Sequence, residues 1–105
     1  MEKLYSLIDS YQDDMVSTLE SLVNIDSGAD CPEGIKAVAE KVGEYLKPLG
    51  FQVEYLETPG VATHILAKKQ GTDPNAKNVM IIGHIDTVFP KGTAAARPFR
   101  VENGI

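Results

Sequence analysis

The feature that most constrains the fold is the run Val79–Ile82, Val-Met-Ile-Ile, which contains no polar residue. An apolar run without polar alternation is typical of a strand buried on both faces, as in the interior of a parallel sheet. Gly83 ends the run. We therefore predict an α/β fold in which Val79–Ile82 is the central strand of the sheet.

His84 and Asp86 follow this predicted strand and are two positions apart. In extended backbone, side chains with this spacing leave the same face of the chain. A metal-bound imidazole usually donates its second ring N–H to a carboxylate or a carbonyl group, so Asp86 is placed to orient His84. Ligands of open α/β sheets also bind beyond the carboxyl ends of the strands. The pattern suggests a metal site, and a simple hydrogen-bonded pair is the alternative that the spacing alone leaves open.

The segment Gly83–Val88 reads Gly-His-Ile-Asp-Thr-Val. It resembles the first metal motif, Gly-His-x-Asp-Thr-Val, of the zinc-dependent exopeptidase family that includes glutamate carboxypeptidases, aminoacylases and succinyl-diaminopimelate desuccinylases. The resemblance continues through residues 89–93 and 97–101 and reaches back to residues 22–27 and 49–53. It therefore covers essentially the whole chain, and it is strongest to the glutamate carboxypeptidase branch.

The resemblance implies a site with two zinc ions, bridged by a carboxylate and a water, and a glutamate as general base. His84 would bind one zinc, and Asp86 would orient His84 and is the residue usually counted as catalytic. The other ligands belong to motifs that come later in family members, whereas a catalytic zinc ordinarily needs three protein ligands. Residues 1–105 are accordingly expected to be an incomplete N-terminal segment of a metallopeptidase catalytic domain, inactive alone.

The same resemblance implies the chemistry of the complete protein. It would cleave an amide bond next to a free carboxylate, for example to release a C-terminal glutamate. Its substrate would be a peptide or an N-acyl amino acid. The smaller dimerisation domain usual in the family implies that the complete protein can form a homodimer. A non-catalytic α/β fragment or binding module, without a complete metal site, is the alternative function.

Two amphipathic helices are predicted on a mixed sheet. The first runs from Leu4 to Val23 with a stripe that we expect to face the core, a partner-binding face being the alternative. The second begins near Asp30 to Pro32 and stops at Gly50. Its predicted buried stripe is formed by Ile35, Val38, Ala39, Val42, Leu46 and Leu49. Between the helices, residues 24–30 are rich in turn formers and predict a loop.

Two hairpins are also predicted. Alternating residues from Phe51 to Tyr55, the turn Pro59-Gly60 and the run Val61–Ala67 indicate the first. Asn103-Gly104 after the alternating run Phe99–Glu102 is a strong signal for the second, because both residues tolerate positive φ. Only Ile105 follows that turn, so we expect the sequence to be the front part of a longer protein.

Two further residues could carry chemistry. Cys31 lies at the start of the second helix, where a thiolate is favoured, but no histidine is near it in sequence, so a structural cysteine is the preferred interpretation. His64 lies in the second strand of the first hairpin and could be a second metal ligand. A lone strand histidine is more often a surface residue, and the family motif does not include it.

Composition excludes several function classes. Ten Lys and Arg against fifteen Asp and Glu give a net charge of -5, and no basic cluster is present, so nucleic acid is not expected as a partner. The single cysteine excludes an internal disulfide. The N-terminal residues carry charge without a following apolar block, so we expect no membrane association and a cytoplasmic location. Neither Gly-x-Gly-x-x-Gly nor a phosphate-binding Gly-Lys-Ser/Thr occurs, which argues against nucleotide binding.

Overall fold

The packed part of the chain is a helix lying on a two-stranded hairpin. The structure is a computed structural model and describes all residues, 1–105. Helix α3 spans Pro32–Leu46, with Pro32 in its first turn, and continues as a 3-10 turn over Lys47–Leu49. Gly50 then ends the helix with a φ of 86°. The predicted helix start and the predicted glycine stop are both confirmed.

The hairpin consists of β1, Gln52–Glu57, and β2, Thr63–Lys68, which pair antiparallel. This confirms the predicted hairpin and the turn at Pro59-Gly60, where Gly60 has a φ of 74°. Its half-buried residues alternate along each strand, so one face of the hairpin lies toward α3. The predicted pairing is correct because it needs only the period-two pattern and a tight turn.

The core lies between α3 and the hairpin. Ile35, Val38 and Ala39 are buried there, as the predicted stripe of the second helix requires. Gly43 is buried against the Tyr55 side chain, so the helix and β1 approach closely at that point. The buried stripe is shorter than predicted, because Leu49 at its end is exposed. Only nine of the 105 residues are buried.

The N-terminal segment forms two helices, α1 (Glu2–Ser10) and α2 (Gln12–Val23), separated by Tyr11. The prediction of one continuous helix is therefore wrong at Tyr11, whose φ of -97° and ψ of 2° leave the helical region. The predicted core-facing stripe is also wrong, since neither helix has a buried residue. Helical hydrogen bonds join residues only four positions apart, so the helices can be assigned from local pattern, whereas burial of the stripe needs an opposing apolar layer from elsewhere in the chain.

The predicted central strand is wrong. Residues Val79–Ile82 form no strand, and their exposed fractions lie between 82% and 93%. The sheet has two antiparallel strands and is not mixed, so the expected sheet arrangement is corrected as well. A central parallel strand requires hydrogen-bonded neighbours on both edges, and no backbone group of this run has a partner in the chain. The α/β class holds only in the coarse sense of four helices and a small sheet.

The end of the chain contains a short helix, α4 (Thr93–Ala96), and a tight turn. Asn103 and Gly104 have φ values of 53° and 80°, as the predicted turn requires. Glu102 and Ile105 exchange two backbone hydrogen bonds of 2.8 and 3.0 Å across this turn. The preceding residues, Phe99–Glu102, form no strand. Thus the local turn prediction is confirmed and the strand prediction is wrong.

The dimensions show how much of the chain lies outside the core. Its accessible surface is 8707 Å², whereas a folded monomer of this mass exposes about 5,800 Å². The radius of gyration is 16.4 Å, compared with about 13 Å for a compact domain of this length. The excess arises where apolar residues lack a covering layer. None of the helices combines the length and apolar composition needed to cross a lipid bilayer.

Candidate functional site

The His-x-Asp segment is attached to the rest of the molecule just after Asp86. Thr87 and Gly28 form an isolated parallel bridge, in which the Thr87 N–H donates to the Ser27 carbonyl at 2.9 Å. Gly28 is buried, and a Cβ atom at this position would overlap the Phe89 carbonyl oxygen. The loop before α3 and the segment after Asp86 therefore meet backbone to backbone.

His84 and Asp86 form a local pair. The His84 Nδ1 atom lies 2.9 Å from the Asp86 carbonyl oxygen and 3.2 Å from its carboxylate Oδ1. Both oxygens can only accept, so the hydrogen bonds place the proton on Nδ1 and leave the Nε2 lone pair free. The His84 side chain is 84% exposed. This is the tautomer and orientation that a histidine needs to bind a metal through Nε2.

A cleft of about 500 Å³ lies beside this pair. Its walls come from three places in the sequence: the start of α3 and the preceding loop, the turn and second strand of the hairpin, and residues 83–86. The residues lining it are Ala29, Ile35, Gly60, Val61, Ala62, Thr63, His64, Ile65, Gly83, His84, Ile85 and Asp86. The cleft thus brings His64, His84 and Asp86 to one concave surface, although they belong to different segments.

The donor set fits part of a zinc site. His84 has a free Nε2 and an oriented ring, as a zinc ligand requires. No group of three or more His, Cys, Asp or Glu side chains in the chain is arranged to hold a metal ion. Since catalytic zinc takes three protein ligands and an open position, these residues would supply one ligand and its orienting partner, and the other ligands would have to come from elsewhere. The predicted roles of His84 and Asp86 stay predictions.

The two other candidate residues differ in their surroundings. Cys31 is 3% exposed and precedes the first residue of α3, so its thiol packs in the core and has little access to a substrate. His64 is exposed on β2 and borders the cleft with His84. Its predicted surface position is therefore confirmed, but its place in a cleft that His84 also lines could not be predicted from a motif that does not contain it.

Sequence reasoning missed the polar groups that hold the segment after Asp86. Lys91 Nζ donates to Glu33 Oε1 at 2.7 Å, and this hydrogen bond is the main reason that the pKa of Glu33 falls to about 2. The Asn24 side-chain oxygen accepts from the Phe99 N–H at 2.8 Å. The sequence pattern around Asn24 predicts only a loop. Partners more than fifty residues away leave no local signal.

Comparison with known proteins finds a relative that matches most of this chain. Carboxypeptidase G2 of Pseudomonas sp. (strain RS-16) is 39% identical over 101 residues. The match covers 94% of this chain, and the chain spans 24% of that relative's length. No family model matches the chain. The comparison therefore supports a partial relationship to a carboxypeptidase, over about a quarter of that enzyme.

Proposed function

We propose that this chain contributes a zinc ligand, His84, and its orienting partner, Asp86, to an exopeptidase or amidohydrolase. The reaction would be hydrolysis of an amide bond next to a free carboxylate, such as release of a C-terminal glutamate. The observation that carries the proposal is the bond from His84 Nδ1 to Asp86, which leaves Nε2 free to bind a metal. The identity to a carboxypeptidase supports it independently.

In this proposal each residue has a separate task. His84 supplies the lone pair of Nε2, and Asp86 keeps the proton on Nδ1 and limits rotation of the ring. A bound zinc ion would lower the pKa of a water and polarise the scissile carbonyl group. The Asp86 carbonyl is the nearer acceptor, at 2.9 Å, so its carboxylate at 3.2 Å shares the orienting role with the backbone.

The remaining elements of the proposal concern the whole protein. Residues 1–105 would be an N-terminal segment of a metallopeptidase catalytic domain, and the other zinc ligands would lie outside them. The substrate would be a peptide or an N-acyl amino acid, without nucleic acid or membrane as a partner. A cytoplasmic homodimer is the proposed form. Support for these points comes from the Gly83–Val88 motif and from the match to part of a carboxypeptidase.

A non-catalytic α/β fragment or binding module is the second candidate function. It is favoured by one observation: no group of three metal-binding side chains is assembled in this chain. The two candidates differ in a measurable way. The enzyme proposal requires that zinc affinity and activity appear when the other family ligands are present, whereas the alternative predicts neither in any protein that contains this chain.

The first test uses the chain alone. We expect that it neither holds zinc tightly nor hydrolyses an acyl-glutamate, because one imidazole cannot fix a tetrahedral ion and no general-base glutamate is positioned. The measurement is isothermal titration with zinc on the chain and on His84→Ala, together with an assay for glutamate release. Tight zinc binding that His84→Ala abolishes, or zinc-dependent turnover, would contradict the prediction that the site is incomplete. His64, which lines the same cleft, would then be the candidate for a further ligand.

The second test uses a protein in which the other ligands accompany this chain. There, Asp86→Asn should reduce metal affinity or activity by about 10- to 100-fold, the usual effect of losing an orienting partner. The fold should be unchanged, because Asp86 is exposed. Unaltered activity in the well-folded variant would remove Asp86 from the mechanism.

A further inference from the structure

The position of the His84–Asp86 pair depends on contacts made after it in the chain. On its N-terminal side, Val79–Ile82 makes no backbone hydrogen bond. On its C-terminal side, Thr87 bonds to Ser27, which is 3% exposed and belongs to the loop before α3. The pair is consequently held from one side, and whatever fixes the following residues fixes its place beside the cleft.

Asp26 makes two contacts of this kind. Its carboxylate Oδ2 accepts from the Gly92 N–H at 2.7 Å, and its Oδ1 accepts from the Ala94 N–H at 2.8 Å. These donors are 66 and 68 residues away in sequence. Both oxygens of one charged group are therefore used to hold the start of α4, and hydrogen bonds to charged groups are stronger than neutral ones.

Two further observations agree with this arrangement. The hydrogen bonds from Ala94 and then Gly92 lower the pKa of Asp26, so the carboxylate stays charged at neutral pH. The backbone of Asp26 is itself fixed by α3, since a Cβ atom added at Gly34 would overlap the Asp26 carbonyl oxygen. Asp26 thus connects the packed helix to the segment that follows the pair.

We infer that Asp26 is a positioning residue for the His84–Asp86 pair. By binding the Gly92 and Ala94 amides it keeps the segment after Asp86 on the loop, maintains the Thr87–Ser27 bond and holds His84 at the cleft that His64 also lines. The inference rests on the proposed function only in assigning a metal-binding purpose to the pair. The positioning itself is a property of the chain.

The experiment compares Asp26→Asn with Asp30→Asn in the full 105-residue chain. Asp30 is a matched control, because it lies in the same loop and loses the same charge, but its carboxylate reaches the Lys91 N–H only at 3.5 Å. The amides of Thr87, Gly92 and Ala94 are followed by hydrogen exchange. The His84 tautomer is followed by imidazole ¹⁵N chemical shifts, which a purely local capping role of Asp26 would not change.

In Asp26→Asn we expect the exchange protection of the Gly92 and Ala94 amides to fall by roughly tenfold or more. We also expect the Thr87 amide to lose exchange protection. His84 should shift from the Nδ1–H tautomer toward the mixture of Nδ1–H and Nε2–H tautomers that a free imidazole shows. Asp30→Asn should leave both readouts close to the original chain. Asp26→Glu, which keeps the charge and both oxygens, should recover part of the tautomer preference.

Three outcomes would overturn the inference. The first is an unchanged tautomer while the Gly92 and Ala94 amides are released, and the second is an equal effect of Asp30→Asn. The third is a loss of exchange protection at the Ala39 amide in both Asp26→Asn and Asp26→Glu, which would mean that Asp26 is needed for folding of the core. Zinc titration of a protein in which the other ligands accompany this chain separates the two proposals. If His84 Nε2 does not respond to zinc there, the proposed function fails, and the tautomer comparison in the 105-residue chain still decides the role of Asp26.

Discussion

Ile35 and Ile81 are the same residue type in runs that both predict burial, yet Ile35 is 3% exposed and Ile81 is 93% exposed. Ile35 lies on α3, whose partner is the hairpin that follows it directly in the chain. Ile81 lies in a run that would need strands on both edges and helices on both faces. In this chain, the apolar run whose packing partner is close in sequence is buried, and the run whose partners would be distant is exposed.

The α3–hairpin unit is a self-contained combination. A two-stranded hairpin is marginal alone, and packing against a helix is one way to stabilise it. The contacts between α3 and the hairpin join segments separated by a short turn, so closing them costs little chain entropy. The segment after Asp86 is different, because side-chain and backbone acceptors of the loop bind its amides.

The largest expected effect comes from Ile35→Ala. Removing most of a buried side chain in the unit should lower the free energy of unfolding by about 2–5 kcal/mol. Ile81→Ala is the matched control, because the same atoms are removed from an exposed site and the change should stay within about 0.5 kcal/mol. Urea unfolding followed by circular dichroism measures both. Equal effects would mean that Val79–Ile82 is buried in solution.

Gly28→Ala should have the next largest effect. The new Cβ would overlap the Phe89 carbonyl oxygen, so the loop and the segment after Asp86 must separate, at a cost of about 1–3 kcal/mol if the strain is similar to overpacking in a core. Gly71→Ala has open space around it and serves as the control. Hydrogen exchange at Thr87 together with urea unfolding checks the expectation. If Gly28→Ala changes neither the free energy of unfolding nor hydrogen exchange at Thr87, the two backbones do not meet.

Acid should loosen the attachment of this segment before it affects the core of α3 and the hairpin. The Lys91 hydrogen bond is the main cause that holds the pKa of Glu33 at about 2, and the Ala94 and Gly92 amides lower the pKa of Asp26. Because these pKa values are depressed, the stabilisation that the two ionised carboxylates give to the attached segment is complete above about pH 4.5, the ordinary pKa of Glu. It is lost as the pH falls toward 2.

The measurement for acid is hydrogen exchange at Gly92 and at Ala39 between pH 5 and pH 2, corrected for the intrinsic rate. Protection at Gly92 should fall first. Lys91→Gln should weaken the pH dependence that comes from Glu33 more than that from Asp26, because the Ala94 and Gly92 amides lower the pKa of Asp26 more than the Lys91 charge does. The opposite order, with Ala39 losing protection before Gly92, would contradict the assigned contacts.

The smallest expected effect on stability is that of Ile81→Lys, which changes an exposed residue and should stay within about 0.5 kcal/mol. Its effect on solubility should be clear, because a charge interrupts an exposed apolar run of the kind that promotes self-association. Light scattering at several concentrations compares it with the unmodified chain, which we expect to aggregate. A monodisperse unmodified chain with a cooperative thermal transition would count against this.

The sequence predicted those parts of the site and the fold whose signals are local. Pro32, Gly50 and Pro59-Gly60 marked boundaries that the structure confirms, because proline and glycine restrict or free the backbone at their own position. The spacing of His84 and Asp86 likewise predicts that the two side chains meet, because the residues are only two positions apart in the chain.

The amino-acid sequence is therefore enough to predict the local structure: α3, the hairpin, the Asn103-Gly104 turn and the contact between His84 and Asp86. Which apolar faces are covered, and that Asp26 binds amides more than sixty residues away, become clear only in the folded chain. Hydrogen bonds within a helix or a tight turn need only neighbouring residues. Burial of Val79–Ile82, and the capture of Gly92 by Asp26, depend instead on which distant segments the chain brings together.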